Sequence, residues 1–404
     1  MYEMKENIKL GLVRGTLDAR KQKKKMYLGQ ILKKLPQRRP VFERLFSSLS
    51  SQTPYLYLKD EVVSHVHTDP DSDDRVVDVD TRLFDPRKEE TITFPDQIQS
   101  SKLSESYPIG SSRGWLALIS GPDDKRSILL SPRSDNSEHC IPYTRLPSLS
   151  DPKHPPQSIV NVSLSSSSPE EDDDCILAVK FLGPRFSFCR PSHEEYATWN
   201  HVHLRQNHYN TSSIVYSNRH QKFYMTTQGS QYLAAWDLHT YSDTSSSWDN
   251  SWLTPLRRTK NPVFTRSVAE MMLSCFTTHY LVESPSQDCE FFHVTGYFQT
   301  SHAEEQALTY HRLAHHAKRF TVFKQSNFEM SYTEDIGDLC IFVGKNEAFC
   351  LSSAMYPGLK PNSIYFVALG SIPNAGIYDI ATGAIHQFPL DLLQPSHFWL
   401  APLV

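Results

Sequence analysis

Beyond residue 75 the chain alternates between short runs of β-branched and aromatic residues and clusters of Pro, Gly, Asp, Asn and Ser. That punctuation belongs to strands joined by turns. Such runs occupy Gly114–Ile119, Ser127–Leu130, Ser158–Leu164, Cys175–Leu182, Arg185–Cys189 and Ser213–Tyr216. They continue through Lys222–Thr226, Tyr232–Leu238, Cys289–Phe298, Phe320–Phe323, Leu339–Val343, Ser363–Ala368 and Gly376–Ile380. Cys175–Leu182 is almost continuously apolar, which predicts a position central in its sheet. Helical patterning is sparse: the spacing predicts helices only over Arg266–Phe276 and Ala303–Lys318, the second rich in His and charge. Two acidic stretches, Asp69–Asp74 and Ser165–Asp174, predict solvated loops. The expectation is an all-β domain of roughly 300 residues with about twenty strands.

A sandwich of that size would be unusual, and the pattern holds a weak repeat instead. An aromatic-Asp pair followed by turn residues recurs at Phe84-Asp85, Trp236-Asp237 and Tyr378-Asp379. The intervals of 152 and 142 residues are each close to three times 47–51. Kelch-like propeller blades run about 50 residues. A propeller also disposes of long exposed sheet edges by radial repetition. The fold expected is therefore a β-propeller of about six kelch-like, four-stranded blades.

Charge changes the picture at the N-terminus. The net charge of −4 divides into a basic leader and an acidic body: residues 1–45 hold 13 Lys+Arg against 4 Asp+Glu, the remainder 28 against 41. An acidic body is a poor nucleic-acid surface. The leader is positive, Ser-rich and poor in acids from Met26 to Ser51, the composition of an organellar presequence. Arg44-Leu45-Phe46-Ser47-Ser48 resembles the mitochondrial processing pattern, which places the candidate cleavage between Phe46 and Ser47. Upstream of Met26, Glu3, Glu6 and Asp18 interrupt the lysines, so Met26 is the expected working start. The domain organisation expected is a leader over 1–55, a propeller over 76–390 and a C-terminal tail over 391–404. No apolar run approaches the roughly 18 residues of a membrane span. Seven cysteines, odd in number and without a CxxC pair, argue against a disulfide scaffold or zinc ribbon.

Eight segments together carry a family resemblance. They are Arg82–Pro95, Gly110–Leu118, Cys175–Pro191, Ile214–Met225, His279–Pro285, Tyr332–Gly344, Tyr356–Val367 and Ala375–Ile385. In this order they resemble the plant family once called domain of unknown function 295, now described as the KIB-type β-propeller. FLGPRFSFCRP, EDIGDLCIFVG and the basic leader are most similar to its organelle-targeted branch. Other members begin with an F-box that docks a ubiquitin-ligase adaptor. Here Pro40 interrupts and Pro54 ends the corresponding stretch, so an F-box is not expected. The resemblance implies a fold and a compartment, and no defined chemistry.

Motifs that could carry chemistry have simpler readings. Gly110-Ser111-Ser112-Arg113-Gly114 spells the nucleophile elbow of serine hydrolases, but that motif needs a helix after it. Trp115–Ile119 is a strand pattern, so the glycines read as a turn. His201-Val202-His203, with His208 and His220 nearby, could face a metal from one strand, yet no Cys or carboxylate stands at ligand spacing. His311 and His315 would share a helical face in a charged surface helix. Glu170–Asp174 reads as a solvated run, and Asp85, Asp237 and Asp379 as turn residues. Cys175, Cys189, Cys275 and Cys289 read as small core residues, and the six Trp as core and edge cover. No phosphate-cradling glycine loop occurs.

The expected function is that of a non-enzymatic propeller imported into mitochondria, with chloroplasts second. It would bind protein partners, and the import machinery on its way, without a cofactor, metal or nucleic acid. An F-box-type substrate adaptor in cytosol or nucleus is the alternative, and a propeller hydrolase built on Ser112 comes third.

Overall fold

A computed structural model describes residues 53–402, apart from 68–75, 122–125, 133–140, 150–157, 192–197, 205–206, 240–251, 303–312, 369–373 and 391–396. Residues 1–52 of the leader, with the Phe46–Ser47 candidate cleavage, and the acidic stretch Asp69–Asp74 lie outside the described residues, whereas the leader's expected end at 55 falls on the first strand.

The strands form six separate sheets. Blade 1 takes β1 (Tyr55–His67), β2 (Val76–Asp85) and β3 (Glu90–Ser100), followed by a short helix, α1 (Ser101–Ser104). Blade 2 contains β4 (Tyr107–Ser112), β5 (Trp115–Ser120), β6 (Ser127–Pro132) and β7 (Thr144–Ser148). Blade 3 is built of β8 (Ile159–Leu164), β9 (Leu177–Phe181), β10 (Arg185–Cys189) and β11 (Asn200–His203). Blade 4 has β12 (Val215–Ser217), β13 (Lys222–Thr226), β14 (Tyr232–Trp236) and β15 (Trp252–Pro255). The chain then crosses as β16 (Arg257–Lys260), which pairs in parallel with the far edge of blade 5, and turns through helix α2 (Arg266–Leu273). Blade 5 follows with β17 (Phe276–Glu283), β18 (Phe291–His302), β19 (Leu313–Ser326) and β20 (Glu329–Thr333). Blade 6 comprises β21 (Leu339–Val343), β22 (Phe349–Ser352), β23 (Ser363–Val367), β24 (Ala375–Asp379) and β25 (Ile385–Gln387). The last strand, β26 (Phe398–Leu400), returns to blade 1.

That return closes the ring: Tyr55, Leu56 and Tyr57 pair antiparallel with Leu400, Trp399 and Phe398. The propeller therefore extends beyond 76–390 at both ends. The segment 391–404, expected as a tail, supplies the closing strand, and its Trp399 is fully buried. The innermost strands are β26, β4, β8, β12, β17 and β22, successive neighbours around a central channel. Four blades have the expected four strands and two have five.

Apolar residues from facing sheets fill the spaces between blades. Blades 2 and 3 share one cluster containing Ile109, Leu130, Leu177 and Phe181, and blades 5 and 6 another containing Tyr280, Phe298, Phe320 and Phe366. Cys175 and Cys189 belong to the first cluster and Cys289 to the second. The continuously apolar run becomes β9, enclosed between β8 and β10, as expected for a central strand.

Two expectations fail. The predicted helix over Ala303–Lys318 is strand from Leu313 onward, because β18 continues to His302 and pairs with it as a long ribbon. His315 therefore bonds Thr300 across the pair (3.1 Å) rather than sharing a helical face with His311, which lies outside the described residues. The aromatic-Asp pairs do mark equivalent places, each at or just past the end of the strand next to the outer edge. Their first interval spans three blades, but the second spans only two, since the long strands of blade 5 stretch the repeat. Asp85 and Asp379 act as turn residues: their carboxylates accept the N–H groups of Arg87 (2.9 Å) and Thr382 (2.7 Å).

Candidate functional site

One mouth of the channel opens into a cavity of about 760 Å3. Its wall starts at the β4–β5 hairpin, where Arg113 (φ 50°) and Gly114 (φ 80°) both occupy the left-handed region. Two such residues make the tight turn whose twist matches paired strands. The G-x-S-x-G spelling is thus a hairpin, with Ser112 at the end of one strand and Trp115 at the start of the next.

The floor comes from blade 6. The connection from β21 to β22, residues 344–348, crosses the channel and places Lys345, Asn346 and Glu347 among the other blades. Gly110 permits this approach, since a Cβ there would lie 2.4 Å from the Lys345 carbonyl oxygen. The Glu347 amide donates to the Ser111 carbonyl (2.8 Å). Its carboxylate gathers three donors: the hydroxyl of Ser112 in blade 2, the hydroxyl of Ser163 in blade 3 (2.9 Å) and the Tyr216 amide in blade 4 (2.9 Å). Asn346 accepts from the Trp399 amide on the closing strand (3.3 Å). One short connection therefore ties four other blades together at the axis.

Charge crosses the blades at the rim as well. Arg113 donates from Nε to the Leu164 carbonyl (2.6 Å) and lies over the Tyr216 ring, 5.3 Å from its centroid. Glu283, at the end of β17, accepts from the Ser217 hydroxyl and from the amides of Asn218 (3.1 Å) and Arg219 (3.2 Å) in the turn after β12. Lys345, also buried, lies 5.8 Å from the Tyr107 ring centroid, and burial lowers its pKa to about 8. Beside it His397 is buried and pushed down to about 4, by desolvation first and by the Lys345 charge second.

The residues singled out from sequence divide accordingly. Ser112 does reach the site, but its hydroxyl is held between Glu347 and the Leu164 amide, from which it accepts (2.9 Å). His201 and His203 lie on the edge strand β11 with exposed side chains, and His201 bonds Ser187 (2.8 Å). His220 sits in another blade, against the rings of Tyr224 and Phe291. Among the described residues no group of three His, Cys, Asp or Glu side chains could hold a metal ion. Also among the described residues, no helix is long and apolar enough to cross a membrane. Sequence reasoning missed Glu347, Lys345 and Glu283. Gly344-Lys345-Asn346-Glu347 looks like any polar turn, and only its buried setting distinguishes it.

Six radially arranged blades with a C-terminal closing strand define a β-propeller. The chain belongs to the KIB1-4 beta-propeller family, whose family model matches residues 83–382. Among solved structures it is similar to the periplasmic gluconolactonase of Pseudomonas aeruginosa, with 12% identity, 87% of this chain and 100% of that chain covered, and a TM-score of 0.35. It is also similar to a functionally unknown protein from Desulfotomaculum acetoxidans (8% identity, 86% and 89% covered, TM-score 0.36). A third similarity is to the WD40 domain of Toxoplasma gondii coronin (9% identity, 83% and 75% covered, TM-score 0.31). A comparison with curated proteins finds no match.

Proposed function

We propose that this chain is a non-enzymatic protein-interaction module that engages its partner across the channel mouth, and that its leader directs it to mitochondria with processing between Phe46 and Ser47. The observation that carries the interaction half is the mouth itself. Its cavity of about 760 Å3 mixes aromatic, acidic and guanidinium groups, a composition suited to side chains of a protein partner. The polar groups at its base are already engaged with one another. The Glu347 carboxylate is already occupied by three donors, and a hydroxyl shared between it and a backbone amide is poorly placed to become a nucleophile. The non-enzymatic reading rests on that arrangement. The mitochondrial reading rests on the basic leader and on the resemblance to an organelle-targeted branch.

Two experiments test the two halves. Ser167 and Asn218 are exposed at the mouth, so Ser167→Arg with Asn218→Arg obstructs it without removing a buried side-chain contact. A partner captured by the wild-type chain should be lost by this variant while the fold is retained, and unaltered capture would refute the mouth. Import of the radiolabelled chain into isolated mitochondria, from Met1 and from Met26, should give a protected product beginning near Ser47. No import from either start would refute the address and favour a cytosolic or nuclear adaptor.

A further inference from the structure

The sheet of blade 5 has two faces of opposite chemistry. Toward blade 6 it presents Tyr280, Val282, Phe292, Val294, Phe298 and Phe320, an ordinary apolar interface. The alternate positions carry Thr277 and His279 on β17, Thr295 and Tyr297 on β18, and Thr321 and Phe323 on β19. Their register is continuous: Thr277 stands opposite Tyr297, His279 opposite Thr295, and Thr295 opposite Thr321. Hydroxyls thus occupy a blade face where close packing would favour methyl groups. Between this face and the Gln228-Gly229 turn of blade 4 lies a cavity of about 340 Å3. That volume is within the range of small-molecule sites, roughly 300–1,000 Å3.

Among the described residues that line the cavity there is one charged side chain, the guanidinium of Arg258, and no Asp or Glu. Arg258 on β16 places its guanidinium 4.8 Å from the Phe323 ring centroid and donates to the Gly229 carbonyl. Its neighbour Arg257 pairs with Glu329, whereas Arg258 has no carboxylate partner among the described residues. Behind the wall, and not itself lining the cavity, the Arg319 guanidinium lies 4.7 Å from the Phe264 ring centroid, and its buried Nε has no hydrogen-bond partner. Burial raises the pKa of the Tyr297 phenol and so keeps it a hydroxyl donor, although the fields of Arg258 and Arg319 oppose that shift. Glu334, after β20, accepts from the Tyr332 hydroxyl (3.0 Å).

Donor accounting gives the same sign. The His279 ring lies between the hydroxyls of Thr277 (3.1 Å, at Nε2) and Thr295 (3.2 Å, at Nδ1). Burial pushes this histidine down to about 4, so at neutral pH its ring is uncharged. A neutral imidazole offers one N–H and one lone pair. One threonine must therefore accept from the ring, and its own hydroxyl hydrogen is left to point elsewhere. Whichever tautomer holds, the cavity keeps a hydroxyl donor beside Arg258 and the Tyr297 phenol. The apolar part of the wall comes from Phe264, Phe323 and Pro262.

We infer that this interblade cavity binds a small molecule carrying one carboxylate on a flat apolar body, the carboxylate meeting Arg258 and the spare threonine hydroxyl and the body lying against Phe264 and Phe323. The site is separate from the channel mouth. The test is calorimetric titration of the full chain with benzoate and with phenylacetate, using benzamide as the uncharged isostere. Saturable binding of at least one carboxylate is expected, with benzamide at least about tenfold weaker because the charge-assisted contact is lost. Arg258→Gln should weaken the carboxylate about tenfold or more. Whichever of Thr277→Val and Thr295→Val removes the spare hydroxyl should weaken it severalfold, while Asn218→Arg at the mouth should leave it unchanged. Arg258 is exposed on an edge strand, so a far-ultraviolet spectrum like that of the wild type is expected for its variant. Absence of saturable binding by both carboxylates would overturn the inference. So would equal binding of benzamide, or wild-type affinity in the Arg258 variant and in both threonine variants.

Discussion

Glu347 provides the sharpest test of how the channel is held. Its carboxylate is almost fully buried and accepts from Ser112, Ser163 and the Tyr216 amide, each on a different blade. Glu347→Ala leaves these three donors without their acceptor, at about 1–3 kcal/mol for each buried group left unsatisfied. Two terms offset part of that. The side chain faces the mouth, so water can enter and serve Ser112 and Tyr216, and the folded state no longer carries a desolvated anion. The net expected loss is about 2–4 kcal/mol. For the roughly 280 described residues, unfolding entropy near 2.1 cal/mol/K per residue converts this into a fall in Tm of roughly 3–7 °C. Glu347→Gln keeps one acceptor oxygen and the shape, and should lose about half as much. Differential scanning fluorimetry of the two variants beside the wild type reads the result. A Glu347→Ala melting temperature within about one degree of wild type, or a Gln variant as damaged as the Ala variant, would refute the carboxylate as the tie between blades.

The remaining predictions concern closure, close approach and pH. Trp399→Ala empties a fully buried site between Phe342, Tyr365 and Phe388 and should cost about 3–5 kcal/mol by the same thermal assay, with Trp399→Phe much milder. Gly110→Ala places a methyl group 2.4 Å from the Lys345 carbonyl and should cost about 1–3 kcal/mol, whereas alanine at exposed Gly337 meets no neighbouring atom and suffers only from its φ of 73°. His279, His293 and His397 are each pushed down to about 4 by burial. A histidine depressed in the folded state takes up its proton first in the unfolded chain, so its stabilisation is full above about pH 6.5 and is lost as pH falls toward 4. The melting temperature should therefore fall steeply across that window, and His293→Asn should flatten the slope; a profile unchanged in the variant would sink this account.

Much of the fold is visible in the residue pattern because interblade packing writes itself as alternation. Cys175–Leu182 announces its burial in its composition, and Phe84-Asp85, Trp236-Asp237 and Tyr378-Asp379 mark equivalent strand ends. The failures have physical causes. Leu313–Lys318 carries charge and histidine at helix-compatible spacing, but a long partner in β18 satisfies its backbone as strand. Phe398–Leu400 is too short to register as a strand, and its meaning comes from Tyr55–Tyr57, more than three hundred residues earlier. The candidate site was the least legible part. Charged residues in a turn normally face water, and nothing local says that Glu347 will be enclosed by serines 184 and 235 residues away.

The buried plug narrows how such a propeller can recognise anything. A ring whose axis is open could thread a segment of its partner, but here residues 345–347 occupy the axis and are bonded to blades 1 to 4. A ligand entering the mouth meets Glu347 as a floor. Contact must then be made with the rim: Arg113, Asn218 and Phe349 are presented around it by blades 2, 4 and 6. The same ties make the rim stiff, since moving any one inner strand strains the carboxylate held by its neighbours. Little ordering entropy is then lost on binding. The rim should accordingly tolerate substitution of its exposed side chains with changes in affinity alone, while substitution of Glu347 should change stability and affinity together. Binding and melting measured on one set of variants would separate the two, and a rim that loosens thermally with Asn218→Arg would contradict the argument.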